Sequence, residues 1–415
     1  MSKRRQPQRL PPPLMHGAEA IDSEVILREF PNDLGLLLWK TVRSVRVWSE
    51  LADGDRGKAF GASAQTFRSA MMSGSEVPEE IAGHLTKAAT VLMPRARAAS
   101  VAGACRAISD WCVEQGQIGT AVEFMQAAAV LVPLDAELAH DVAKLARTRT
   151  DYSRAETWYR QAISRARRGA VWSDFSRSYI GMGIVFRLRG SYPQARSSLI
   201  RGLRAAKRFS IRPLVAAAYH ELAVLAIHAE KSSDVIRYAS LAVNSYAPGS
   251  PRLSALANDF AAFLMTEGRF KEALRTFVAL PNVGGSAERL SRVSAIVQTA
   301  GAVRDAQTYA TAWEEAELLL EEAEASSVAI DALLAMARGA ASMGEHQTAL
   351  RKASLAKQTA TARGEFAGEN EAEVLLASLN SPVTEEVEVT STWQTDAVNE
   401  VVERFETALA AAGSD

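Results

Sequence analysis

The segment GQIGTAVEFMQAAAVLVP, residues 116–133, decides the fold. It opens on Gly116, places small residues at Ala121 and Ala128, and closes on Pro133. Ile108 and Cys112 precede it at helical spacing, so it reads as the turn and second helix of a helical hairpin, with glycine suited to the turn. The same offset recurs in Gly190 with Ala195, Gly268 with Ala273, Gly301 with Ala306, and Gly344 with Ala349. Two further copies, Ala155 with Ala162 and Val235 with Ala242, carry Thr150 and Glu230 at the glycine position. Apolar pairs one turn apart precede these turns, among them Val142 and Ala146, Met182 and Phe186, Phe260 and Leu264, and Met336 and Ala340. A unit of this kind cannot bury its apolar face alone, so the copies must stack.

These units resemble tetratricopeptide repeats. Seven copies start at Ala102, Ala136, Ser176, Ala216, Ser254, Ala287 and Ile330, at spacings of 34, 40, 40, 38, 33 and 43 residues. The eighth position, where the paired helices approach, reads Ser109, Ala143, Gly183, Ala223, Ala261, Ser294 and Ala337. The twentieth reads Ala121, Ala155, Ala195, Val235, Ala273, Ala306 and Ala349. The pattern departs from the family in that only Pro133 supplies the terminal proline and Leu280 and Trp313 replace small residues. The resemblance implies an all-α, right-handed superhelical solenoid of about seven helix-turn-helix repeats with helical caps.

Composition agrees. The chain has 415 residues, 48% hydrophobic and 23% charged, with net charge −1, which excludes a wholly disordered or collagen-like chain. Cys105 and Cys112 are seven residues apart on one helix, about 10.5 Å of rise, too far to bridge within it. No apolar run reaches about 18 residues, and the basic, Pro-rich start has no apolar signal core, so a cytoplasmic location without membrane spanning is expected.

Five regions follow from the pattern. Residues 1–31 read as a disordered basic tail and 32–101 as an N-terminal helical cap, in which Leu34, Leu38, Val42, Val45 and Trp48 form an apolar stripe capped by Asn32 or Asp33. Further helices are expected over 58–72 and 79–93. A DNA-reading helix pair there is disfavoured, since residues 33–93 hold seven bases and seven acids. Residues 102–363 form the array and 364–392 an acidic linker. Residues 393–415 read as an amphipathic helix that caps the array's C-terminal end or, alternatively, competes for its groove.

Catalytic signatures are missing: there is no Gly-rich phosphate loop, HExxH, zinc-spaced cysteine pair or nucleophile elbow. His220 and His228 would stand roughly 80° and about 12 Å apart on a helix, poor geometry for one metal ion. No enzyme activity, cofactor or metal is therefore expected. Charge is more informative. Residues 144–212 carry 15 Arg and 2 Lys against three acids, a net +14, while residues 314–415 carry 20 acids against six bases. In similar repeats the second, fifth, ninth, twelfth and thirteenth residues of each first helix line the concave groove. Those positions supply the candidate partner-binding set: Arg106; His140, Lys144 and Arg147; Arg177 and Arg187; His220 and His228; and Asn258. The resemblance implies a carboxylate clamp in which Arg147, Arg187 and Asn258 could take part, although not all of the clamp's residues match. Arg154, Arg165, Arg168, Arg201 and Arg204, on second helices, are expected on the convex side. The expected function is a non-catalytic protein-protein interaction scaffold that binds an acidic peptide or protein segment in a basic concave groove. The alternative is a nucleic-acid-binding or regulatory protein whose Arg-rich repeats contact phosphate. Stacked bases would need exposed aromatic rings beside the Arg, and the groove positions hold none.

Overall fold

The computed structural model describes residues 23–51, 77–92, 96–247, 249–323, 326–381 and 395–410. Among these residues the regular structure is helical, nineteen α-helices and one 3-10 turn. The chain divides into two compact units, Met1–Glu221 and Leu222–Asp415.

In the first unit, α1 (Ser23–Glu29), α2 (Asp33–Glu50) and α3 (Glu79–Ala88, running into a 3-10 turn at Ala89–Leu92) precede three hairpins. These are α4 and α5 (Ala98–Glu114, Ile118–Leu131), α6 and α7 (Ala136–Thr148, Tyr152–Arg168), and α8 and α9 (Trp172–Leu188, Tyr192–Arg208). Helix α10 (Arg212–His228) spans the boundary. The second unit continues with α11 (Ser232–Val243), α12 (Pro251–Thr266), α13 (Phe270–Ala279), α14 (Ser286–Val303), α15 (Ala306–Glu322), α16 (Val328–Ser342), α17 (His346–Arg363), α18 (Phe366–Asn380) and α19 (Thr395–Ala410).

One turn recurs along the chain, at seven hairpins and also at Ala170, Ser210 and Gly364. Gly116, Thr150, Gly190, Glu230, Gly268, Arg304 and Gly344 all take a left-handed backbone, with φ between 53° and 83°. The amide after each closes back onto the first helix, as in Gln117 N–H to Cys112 O (2.8 Å), Ser191 to Phe186 (2.8 Å) and Glu345 to Ala340 (2.8 Å). This satisfies carbonyls that a helix end would otherwise leave open. Ser109, Ala143, Gly183, Ala223, Ala261 and Ala337 are all buried, and in the first hairpin Ser109 Oγ donates to Ala121 O at 2.8 Å, tying the first helix to the second.

The sixth repeat is shifted. Its left-handed residue is Arg304 rather than Gly301, Ala306 is exposed, and Tyr309 fills the slot that alanine fills elsewhere. Gly301 instead serves a crossing of two first helices: a Cβ there would lie 2.4 Å from Gly339 O. Small residues were thus demanded by a different neighbour, and the repeat starts near Leu290 instead of Ala287.

The flanks also differ from expectation. The tail read through residue 31 already holds α1, because Val25 and Ile26 are buried against the first unit's core and Phe30 stacks on Trp111 (5.6 Å between centroids). α2 buries Leu38, Val42, Val45 and Trp48 as its stripe requires, but Asn32 precedes it without a side-chain cap bond. α1 and α2 pack on α5, and α3 packs on α4. The helix expected over 58–72 lies outside the described residues. At the other end, the supposed linker 364–392 contains α18, entered through one more left-handed turn at Gly364. Its acids pair with the preceding helices: Glu371 with Arg338, and Glu373 with Lys357 at 2.8 Å. Helix α19 does not sit at the end of the array. It folds back on α11, α12 and α13, burying Val398, Val401, Val402, Phe405 and Leu409, with Phe405 against Phe260 and Arg275 forming two bonds to Glu406 (2.9 and 2.7 Å). α11 and α13 have 12 and 10 residues, shorter than the 17 of α7 and α9, and α19 supplies apolar surface beside them.

Candidate partner-binding face

In the first unit the first helices α4, α6 and α8 bring most of the predicted residues onto one face. His140 ends up beneath it. The ring is buried, meets Ser178 Oγ at 3.1 Å and stands edge-on to Tyr159 (5.4 Å). Burial, reinforced by Arg177, Lys144 and Arg147, lowers its pKa to about 3, so it is a neutral packing group and not a ligand contact. The expectation for His140 is corrected accordingly.

Three arginines on the face are already engaged. Arg106 Nη2 lies 3.1 Å from Glu137 and 3.2 Å from Asp141, Arg177 Nη2 lies 2.9 Å from Asp174, and Arg187 Nη2 lies 3.5 Å from Glu221. Burial pushes the carboxyls of Asp141 and Asp174 above the ordinary carboxylate range, against the pull of Arg106 and Arg177 on the first and of Arg177 on the second. The groove is therefore zwitterionic along this stretch, not basic. Its five cations, Arg106, Lys144, Arg147, Arg177 and Arg187, face Asp110, Glu137, Asp141, Asp174 and Glu221. Two of these acids were open to sequence reasoning, since Asp110 and Glu137 occupy the ninth and second positions of their repeats. Asp141 and Glu221 stand at the sixth position of their repeats, mid-helix on α6 and α10, and Asp174 lies in the first turn of α8.

Lys144 and Arg147 differ. They stand one turn apart on α6, Lys144 exposed and Arg147 half-buried, and among the described residues neither has a carboxylate at ion-pair distance. The Arg147 guanidinium lies beside the Tyr159 hydroxyl, where its charge opposes the upward push of burial on that phenol. Tyr159 is in turn wedged against Gly181, where a Cβ would come within 2.4 Å of the ring. The guanidinium thus stands beside a buried, tightly packed ring. His220 is half-buried on α10, whereas His228 and Asn258 are exposed and belong to the second unit.

The second-helix arginines are not uniformly free. Arg165 is buried, donating to Ala129 O and Asp135 O at 3.0 Å each, and its guanidinium covers Trp158. Arg154 pairs with the fully buried Glu123 (2.8 Å), which also faces the buried Arg46 at 3.7 Å. Both thiols are buried, and desolvation raises each to about 12, which leaves them unreactive. No helix among the described residues is long and apolar enough to cross a membrane.

No protein-family model matches the chain, and no curated protein matches it. Solved structures do resemble it. The TPR2AB-domain:pHSP90-complex of yeast Sti1 aligns at 13% identity over 68% of this chain and 99% of that one, with a TM-score of 0.26. A Rap protein complexed with competence and sporulation factor aligns at 10% identity over 86% of this chain and 98% of that one, with a TM-score of 0.37.

Proposed function

We propose that the chain is a non-catalytic interaction scaffold whose α4–α6–α8 face holds a peptide segment bearing an acidic group, the carboxylate meeting Lys144 and Arg147. One observation carries this reading: on a face where Arg106, Arg177 and Arg187 each pair with a carboxylate of the chain within 4 Å, Lys144 and Arg147 have none at that distance among the described residues. A half-buried guanidinium can meet a carboxylate bidentately, and an adjacent ammonium adds charge without demanding geometry. The paired residues around them would select rather than attract, since a ligand charge of the wrong sign meets a like charge and stays unpaired.

An array of extended peptides tests this, each acidic sequence matched with its Asn/Gln isostere and probed with the labelled full chain. Retention should require the carboxylates and fall with added salt. Equal retention of the amide isosteres would refute the reading.

A further inference from the structure

A second surface of the first unit lies where the start of α8 meets the end of α9. Trp172 and Phe209 stack with centroids 4.6 Å apart and planes 3° from parallel, and Phe175 stands edge-on to Trp172 at 5.6 Å. Beside these rings opens a cavity of about 350 Å³, lined further by Arg201, Arg204 and Arg208. The three arginines follow one another at i, i+3 and i+7 on α9, a row of cations about 4.5 and 6 Å apart in rise. All three are exposed, and among the described residues none has an ion-pair partner. This contrasts with the α4–α6–α8 face, where most arginines are paired. Phe209 is itself exposed although its size favours burial, and Arg208 lies over its ring at 5.5 Å.

We propose that this pocket binds a nucleotide unit, with the base on the Trp172–Phe209 side and phosphate on the Arg201–Arg204–Arg208 row. The exposed ring of Phe209 and the half-buried ring of Trp172 offer a flat base a stacking surface that is indifferent to sequence, and guanidinium forks match phosphate oxygens bidentately. The volume lies in the range of small-molecule sites. A row of three unpaired cations suits several phosphates better than the single phosphate of a modified side chain. No long aliphatic side chain lines the cavity, so a lipid tail gains little there. The same chemistry is presented by a free nucleoside triphosphate and by a single-stranded nucleic acid.

Fluorescein-labelled U10 RNA, titrated with the full chain in 50 and 150 mM salt and competed with ATP, reads both sources. Binding is expected, and Trp172→Ala should weaken it about 5- to 100-fold, the usual span of one base stack, while Trp172→Phe retains most of it. Arg204→Ala should weaken binding and lower the salt slope by about one, whereas Arg196→Ala, exposed on the same helix and outside the cavity, should do so far less. Displacement by micromolar ATP would identify a free nucleotide, and displacement only by unlabelled strand would identify nucleic acid. Absence of binding by either at 50 mM salt overturns the proposal. So does equal loss from Arg204→Ala and Arg196→Ala, or displacement by a phosphotyrosine peptide but not by nucleotide.

Discussion

The carboxylate of Glu29 accepts hydrogen bonds from both the backbone N–H and the hydroxyl of Thr120, each at 2.6 Å, across 91 residues of sequence. A third bond comes from the N–H of Gly119 at 2.9 Å. A side chain from α1 thereby caps the start of α5, whose own N-cap residue, Gln117, makes no such bond.

Removing this cap should release α1. Glu29→Ala is expected to cost about 1–2 kcal/mol, the usual value of a cap, in equilibrium urea unfolding. Glu29→Gln should cost less, since one amide oxygen can still accept. A change below about 0.3 kcal/mol for the alanine variant would show that α1 is held by Val25 and Ile26 alone.

The two kinds of close approach predict opposite outcomes for one substitution. Gly301→Ala forces a methyl against the backbone of Gly339, which cannot retreat without parting α14 from α16, so roughly 1–3 kcal/mol should be lost. Gly183→Ala meets Cδ2 and Cγ of the Leu199 side chain at 2.6 Å, atoms that yield more readily than the backbone faced by Gly301, and the helix gains about 1 kcal/mol from losing a glycine. Thermal unfolding should rank Gly301→Ala well below Gly183→Ala. The reverse order would contradict the shifted phasing of the sixth repeat.

His140 makes the first unit acid-sensitive in a defined window. Its folded pKa, about 3, lies below the unfolded value near 6.5, so the unfolded chain binds the extra proton. The contribution is complete above pH 6.5 and lost as pH falls toward 3, at up to about 1.4 kcal/mol per pH unit. His140→Gln should flatten this part of the stability profile relative to wild type. An unchanged slope between pH 6 and 4 would mean that the ring is solvated.

Arg165 and Arg204 look alike in sequence but should behave differently. Arg165→Met strands the carbonyls of Ala129 and Asp135 and is expected to cost about 2–4 kcal/mol. Arg204→Ala, on the surface, should stay within about 0.5 kcal/mol. Similar losses in chemical unfolding would contradict the burial of Arg165.

What the sequence made legible was the turn and the hairpin contact. The offset from Gly116 to Ala121 holds even where Thr150 and Glu230 replace glycine, because the bond pattern of the turn fixes φ whatever the residue. It misled at Gly301, since a small residue records only that something comes close and not which helix does. The pairing of the candidate cations was only partly legible. Glu137, the partner of Arg106, lies at a groove position, whereas Asp174 and Glu221, which pair with Arg177 and Arg187, lie on helices α8 and α10 at positions that the groove rule does not mark. Trp172 and Phe209 gave no signal because they flank the ends of helices, 37 residues apart, where periodicity says nothing about meeting.

The proposed α6 site depends on which cations lack a carboxylate of the chain itself. Affinity for an acidic peptide retained on the array, measured by fluorescence anisotropy at 150 mM salt, should fall more than tenfold in Lys144→Glu/Arg147→Glu with helical circular dichroism unchanged. Arg106→Gln/Arg187→Gln should alter affinity less than about threefold, because those guanidiniums already hold Glu137, Asp141 and Glu221. Equal loss from the two pairs, or loss only from the second, would contradict the α6 site.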